Sequence, residues 1–326
     1  MMKANRPQKA PLTRVHKTGI LRLLRKGGSS FICAKLNRYC RGIMKKFSFS
    51  VKTFLILLGV VAWTVFSPCV SICEESPWRK VDEGLWVAEF DSPMKSNAQD
   101  SKITTIRIDP KFYSFKLLCA SEQGGAKMTA RKWCEKFGLI AAVNAGMYQK
   151  DGFTNVGLMK NYRHINNPRL NNIYKAVLAF NPSESKIPEI QIIDLKCQDF
   201  ESIGPKYQTL IQNIRMISCR QENVWAKTNQ LWGMAVFGID KSGNALFVFT
   251  EVPYSGHNFS NALLSLPLSI SNALYLEGGF EANLFFSWNG VELERVGIRE
   301  TGLQEDSPRV VPRPIPNIIG ITKKPR

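Results

Sequence analysis

The chain has 326 residues, of which 44% are hydrophobic, with 23 Gly and 17 Pro, a composition that excludes disordered and collagen-like polymers and allows a sizeable core. The formal charge of +18 points to nucleic acid only until it is located: residues 1–52 hold 14 Lys/Arg and no Asp or Glu, which leaves 30 Lys/Arg against 26 Asp/Glu in the rest. That remainder of +4, with no basic run interleaved with aromatics, argues against nucleic-acid binding by the following part.

In chain order, the basic segment 1–52 is followed by Thr53–Cys73, 21 residues without a charge. As a helix rising 1.5 Å per residue, that stretch reaches about the ~30 Å thickness of a bilayer's hydrocarbon. Two readings stay open. Met44-Lys45-Lys46, the apolar run Phe54–Phe66 and then Pro68 follow the pattern of a cleaved export signal starting at Met44, with residues 1–43 not translated. Alternatively, residues 1–52 are a cytoplasmic basic tail on an uncleaved anchor that attaches the protein to the membrane. Both predict that residues 74–326 form one exported domain, periplasmic or otherwise extracytoplasmic, and in an oxidising compartment Cys119, Cys134, Cys197 and Cys219 suggest disulfides. Sequential pairing, Cys119 with Cys134 and Cys197 with Cys219, is expected; buried free thiols are the alternative. No CxxC or Cys/His cluster with zinc spacing occurs.

Apolar alternation predicts strands over Leu85–Phe90, Lys102–Ile108 and Tyr113–Leu118, read as an opening meander. Thr129 stands where a helix N-cap would. Ala130, Trp133, Cys134 and Phe137 follow at helical spacing, and Gly138 ends the turn. Leu139–Val143 reads as a strand covered on both faces that delivers Asn144 to a loop. A long polar insertion over Asn144–Asn172 contains a brief strand-like piece, Val156–Met159. Further strands are expected at Tyr174–Phe180 and Glu189–Leu195, with a hairpin of Leu231–Ile239 and Asn244–Val252 across Asp240–Gly243. A short helix over Asn258–Leu266 stops at Pro267, and Ala273–Leu276 leads into the turn Glu277-Gly278-Gly279. Asn283–Trp288, Glu292–Val296 and Asn317–Thr322 close the domain. The expected class is mixed α/β (α+β): a single domain with a strand-rich mixed sheet and few short helices.

Two segments carry chemistry. In Ala142-Val143-Asn144-Ala145-Gly146-Met147-Tyr148 a buried strand breaks into a small-residue turn. There Asn144 offers donor and acceptor to hydroxyls, Gly146 permits close backbone approach and Tyr148 presents a flat face to a sugar. A plain turn with a self-bonded Asn is the alternative. In Ala273-Leu274-Tyr275-Leu276-Glu277-Gly278-Gly279 a carboxylate follows a buried strand directly, suited to a catalytic acid or base or to holding a divalent cation. Its alternative is a turn Glu accepting backbone N–H bonds. His164 and His257, in Asn-rich stretches read as loops, are candidate proton carriers, and Arg169 a candidate contact for an anionic substrate. No phosphate-binding Gly-rich loop, GxSxG or HExxH occurs.

In this order the two turns resemble those of the phosphodiester glycosidase family, in its bacterial branch, related to the lysosomal mannose-6-phosphate uncovering enzyme. Asn144–Tyr148, Gly157-Leu158 and Leu276–Glu281 stand where that family has an Asn-Ala-Gly-Met-aromatic turn, a Gly-Leu segment and a strand closing in Leu-Asp-Gly-Gly-Gly-Ser. The resemblance spans about Leu85–Thr322. It implies a hydrolase for glycosyl-phosphodiesters or related envelope glycans, with Glu277 as acid/base and Asn144, Gly146, Tyr148, Gly278 and Gly279 around the sugar. The chain departs from the pattern in having Glu277 for the aspartate, Phe280-Glu281 for Gly-Ser, and Trp232 where many relatives have an arginine suited to a phosphate. These departures motivate the competing reading of a non-catalytic glycan-binding or envelope-assembly module.

Overall fold

Strands with alternating apolar residues have one face to bury and continuous apolar runs such as Ala141–Val143 have two, and three antiparallel sheets bury these faces against one another and under helices. The computed structural model describes residues 76–93, 102–298 and 311–325. The basic segment 1–52 and the uncharged segment 53–73 lie outside the described residues. No helix among the described residues is long and apolar enough to cross a membrane. Residues Glu74–Arg326 form one compact unit.

The first sheet contains β1 (Trp78–Asp82), β2 (Leu85–Asp91), β3 (Lys102–Ile108), β11 (Arg215–Ile217), β12 (Trp232–Asp240), β13 (Ala245–Tyr254) and β14 (Ile270–Gly278), in the order β1-β2-β3-β13-β12-β14-β11. The second runs β7-β6-β10-β8-β9, from β6 (Met159–Asn161), β7 (His164–Asn167), β8 (Ala176–Pro182), β9 (Ile190–Asp194) and β10 (Tyr207–Asn213). The third runs β16-β15-β5-β17-β4, from β4 (Tyr113–Cys119), β5 (Ala141–Asn144), β15 (Asn283–Trp288), β16 (Val291–Val296) and β17 (Asn317–Lys323). The central core draws Phe237 and Phe247 from the first sheet, Leu178 and Ile211 from the second, and Val143, Phe286 and Ile319 from the third.

One helix lies against each of the three sheets. Helix α1 (Ala130–Phe137) starts where Thr129 Oγ1 accepts the Lys132 N–H at 3.3 Å and ends at Gly138, φ +60°, whose N–H returns to the Cys134 carbonyl. Its Trp133 packs with Leu118, Ala142 and Phe285 on the third sheet. Strand β5 is thus covered on both faces as expected, Ala141 and Val143 in the central core and Ala142 under α1. A four-residue helix α2 (Phe200–Ile203) lies against the second sheet through Phe200 and Ile203. Helix α3 (Gly256–Ser265) lays Phe259 and Leu263 on the first sheet. It begins earlier than expected because Ser255 Oγ caps the Asn258 N–H, which places His257 in a helical first turn rather than a loop.

Four further expectations change. Of the expected opening meander only β2 and β3 pair, with β1, a strand not expected, on the outer edge, and β4 leaves it to pair with β17. His164 opens strand β7 instead of lying in a loop, and Glu277-Gly278 continue strand β14, leaving the turn to Gly279–Glu281. Cys197 and Cys219 are disulfide-bonded, whereas Cys119 and Cys134 are free. The reason is strand alternation: Leu118 faces α1 and Cys119 faces the opposite side, in the central core, with its Sγ 3.7 Å from Met159 Sδ, while Cys134 lies under α1. The sheet stands between the two thiols.

Candidate active site

Strand β5 ends at Asn144, paired with Ile318 of β17, and the side chain is almost wholly buried. Its Oδ1 accepts the Asn283 N–H at 2.7 Å and its Nδ2 donates to the Glu281 carbonyl at 2.9 Å. The amide therefore fastens the first glycine-containing turn to the second, which lies far along the chain. Gly146 is needed for the same closeness: a Cβ there would lie 2.7 Å from Asn155 Oδ1 and from Asn213 Oδ1. Asn213 in turn holds the Ala145 carbonyl through Nδ2 at 2.8 Å. The chain then doubles back, with the Val156 N–H bonded to the Met147 carbonyl and Tyr148 bridged to Asn155.

Strand β14 presents Glu277 through a bulge. Tyr275 opposes Val236 and Glu277 opposes Ala235, so Leu276 is an extra residue on β14. Such a bulge bends the strand just before the carboxylate. Glu277 Oε1 accepts the Gly278 N–H at 3.0 Å. A Cβ on Gly278 would overlap the Trp232 indole and the Tyr275 hydroxyl, so glycine lets the backbone lie against these rings. Gly279, φ +66°, then turns the chain into the short Gly279–Glu281 helix. Arg313 Nη1 donates to Glu281 Oε1 at 2.8 Å, and its guanidinium lies 5.1 Å from the centre of the Phe280 ring.

Charge effects identify what surrounds Glu277. Burial pushes the Tyr148 phenol above its ordinary pKa, the charges of Glu277 and Glu281 push it further, and Arg313 pulls it back. Tyr174, at the far end of the polar insertion, is raised by burial and then by Glu277. One carboxylate thus acts on two tyrosines from separate loops, and both remain protonated donors at neutral pH. Behind them the Trp225 and Tyr275 rings meet edge-on at 5.3 Å, and the Trp232 Nε1 is buried without a partner.

The other candidate residues take different places. His257 Nδ1 lies 2.8 Å from the Trp225 carbonyl, positioning the loop that carries that indole. His164 Nε2 lies 3.0 Å from Ser121 Oγ, away from the Glu277 turn, and Arg169 is exposed with its N–H bonded to Asn167 Oδ1. Arg313 and Trp225 belong to the site but lie in stretches without motif or periodicity, a lone Trp in a polar loop being the one available signal, and Tyr174 stands at the start of the expected strand Tyr174–Phe180, which begins only at Ala176. Among the described residues, the single group with metal-ligand side chains close together is Asp194, Cys197 and Cys219, away from Glu277, and its two sulfurs are bonded to each other.

This fold has relatives. The chain is similar to the catalytic domain of zebrafish N-acetylglucosamine-1-phosphodiester alpha-N-acetylglucosaminidase, auto-inhibited by its pro-peptide, with 13% identity and a TM-score of 0.54 over 76% of this chain and 86% of that one. It is also similar to a hypothetical protein from Synechocystis, at 12% identity and a TM-score of 0.53 over 77% of this chain and 64% of that one. At such identities the likeness is one of fold. No curated protein sequence matches. The phosphodiester glycosidase family model matches residues 137–322, a span that contains both Asn144–Tyr148 and Leu276–Glu281. This chain belongs to the phosphodiester glycosidase family.

Proposed function

We propose that the protein is an exported hydrolase that releases a sugar from a glycosyl-phosphodiester or a related envelope glycan, with Glu277 as its acid/base. The observation that supports it most is the convergence of the Asn144–Tyr148 turn and the Glu277 strand end into one place, joined by the Asn144 amide and coupled through charge. In this reading Glu277 transfers a proton to the leaving oxygen or takes one from the attacking water, and the protonated Tyr148 and Tyr174 donate hydrogen bonds to the substrate. Asn144 is a positioning residue. Gly146 and Gly278 keep the two turns tight, Gly279 makes the bend, and Trp225 and Trp232 supply flat apolar surface for a sugar. Arg169, His164 and His257 take no part in the chemical step.

Glu277→Gln keeps the shape and removes the charge. Release of sugar from glycosyl-1-phosphodiesters is expected to fall by about 10²- to 10⁴-fold with an unchanged melting curve. A stable and fully active variant would remove Glu277 from the mechanism. A second reading, the non-catalytic glycan-binding module, draws support from Arg313, which pairs with Glu281 and covers Phe280 in the turn that departs most from the family pattern. Glycan binding by the wild type without turnover would favour it. Export is tested separately, by joining a reporter active only outside the cytoplasm after about residue 80; a reporter silent there but active when restricted to the cytoplasm would refute it.

A further inference from the structure

Among the described residues seven large hydrophobic side chains are exposed, and four of them, Tyr162, Ile165, Leu170 and Ile173, fall within twelve consecutive positions. They lie on the edge strand β7, in the hairpin loop before it and in the loop after it. Ile173 is 80% exposed, yet this is not slack chain. Gln212 Oε1 accepts the Asn171 N–H, and its Nε2 donates to the Asn171 and Tyr174 carbonyls, each at 2.7 Å. Asn167 Nδ2 is held by the Asn155 carbonyl, also at 2.7 Å. The fold therefore fixes an apolar row in water, at a hydrophobic cost.

Tyr162 adds local strain. Asn161 pairs with His164, so Tyr162-Arg163 is a two-residue hairpin loop, and Tyr162 has φ +51°. Glycine is the unstrained choice at that position, whereas a bulky L-residue in the left-handed region costs about 1–2 kcal/mol. An aromatic kept there against local preference points to a use for its side chain. The charge around this row is one-sided. From Gly152 to Ser183 there is no Asp or Glu, whereas Lys160, Arg163, Arg169 and Lys175 are present. None of these four forms an ion pair among the described residues, and Glu122, which reaches the strand before the edge, accepts from the Asn161 amide.

Exposed aliphatics, an amphipathic Tyr and unpaired cations on a rigid edge are the chemistry of an interface with anionic lipid. We propose that the Tyr162–Ile173 edge docks onto an anionic bilayer surface, with Tyr162, Ile165, Leu170 and Ile173 entering the headgroup layer and Arg163 and Arg169 pairing with lipid phosphates. The edge is continuous with the candidate site, since Tyr174 directly follows Ile173 and senses Glu277. The docking does not depend on the hydrolase reading, and its test needs no turnover.

The test is hydrogen exchange of the full chain on vesicles of phosphatidylcholine alone and of phosphatidylcholine mixed with phosphatidylglycerol, read at peptides covering residues 159–175. Slower exchange of those peptides on the anionic vesicles alone, reversed by high salt, is the expected result. Arg163→Gln/Arg169→Gln is expected to weaken the affinity of this edge for the anionic vesicles by roughly 30-fold, about fivefold for each cation removed. Ile165→Ser/Ile173→Ser is expected to abolish the protection without changing the melting curve. Any contribution of residues 53–73 to vesicle binding is common to all variants, so each variant is compared with the wild type at 159–175. Exchange indifferent to lipid charge would overturn the proposal. So would equal protection by a soluble polyanion, or protection without lipid that grows with protein concentration, which would mark a contact between copies.

Discussion

Single side chains in this protein act mainly by holding distant backbone. Replacing Asn144 by Leu leaves the buried Asn283 N–H without its acceptor, while the Glu281 carbonyl keeps the Asn283 Nδ2 donor at 3.0 Å. An orphaned buried N–H costs about 1–3 kcal/mol, so a clear drop in melting temperature is expected along with loss of activity. Gly278→Ala is expected to destabilise by about 1–3 kcal/mol through overpacking, because the added methyl overlaps Trp232 and Tyr275. Combining it with Trp232→Ala should recover part of that loss, and melting curves of the single and double variants measure the coupling. The two glycine-containing turns were legible in the sequence because small residues beside a polar one at a strand end are unusual. The role of the Asn144 amide was not, since a sugar contact and a backbone latch need the same residue type.

Elements reveal a similar split. Helix α1 and the hairpin of β12 and β13 follow the sequence reading closely, because Thr129, Gly138 and Asp240 bond to backbone only a few residues away. Strand β10 escaped it because Thr209, Gln212 and Asn213 occupy fully buried positions and interrupt the apolar pattern. The Thr209 hydroxyl and the Gln212 and Asn213 amides serve the polar insertion, which is a tertiary demand. The cysteines make this testable. Mass mapping without reductant is expected to find Cys197 joined to Cys219, and Cys119 and Cys134 inert to alkylating agents until the protein unfolds. Burial pushes the Cys134 thiol up to about 12 and raises the Cys119 thiol as well. Reduction removes a link across 22 residues and is expected to lower stability by about 3 kcal/mol.

At the scale of the whole molecule, the first and last strands are fastened together. Asp82 of β1 accepts Lys323 Nζ of β17 at 2.6 Å and Trp288 Nε1 of β15 at 2.9 Å. Lys323 first, then Trp288, holds the Asp82 carboxyl well below the usual carboxylate range. Because the folded pKa is depressed, this contribution is fully present above the unfolded value of about 3.9 and fades as pH falls toward the folded one. Asp82→Asn is thus expected to cost on the order of 1 kcal/mol at neutral pH, a figure limited by the partial exposure of Lys323. The difference from wild type should shrink in acid. A constant difference across the pH range, followed by denaturant unfolding, would show that packing rather than the charge is responsible.

By itself, the sequence determined the local pieces: caps, hairpin loops, strand lengths, and the order of the two turns that marks the family. Those depend on side chains bonding to backbone within a few residues and on apolar period, both visible in one dimension. Only the tertiary structure decided which strands are neighbours, so that β5 lies between β15 and β17, which follow it by more than a hundred residues. The same pairing sends Cys119 away from Cys134, brings Asn144 to Glu281, and gathers Tyr174 and Arg313 around the Glu277 turn. Contacts at such separations depend on how sheets stack and which face each strand turns inward, and no local pattern records that choice.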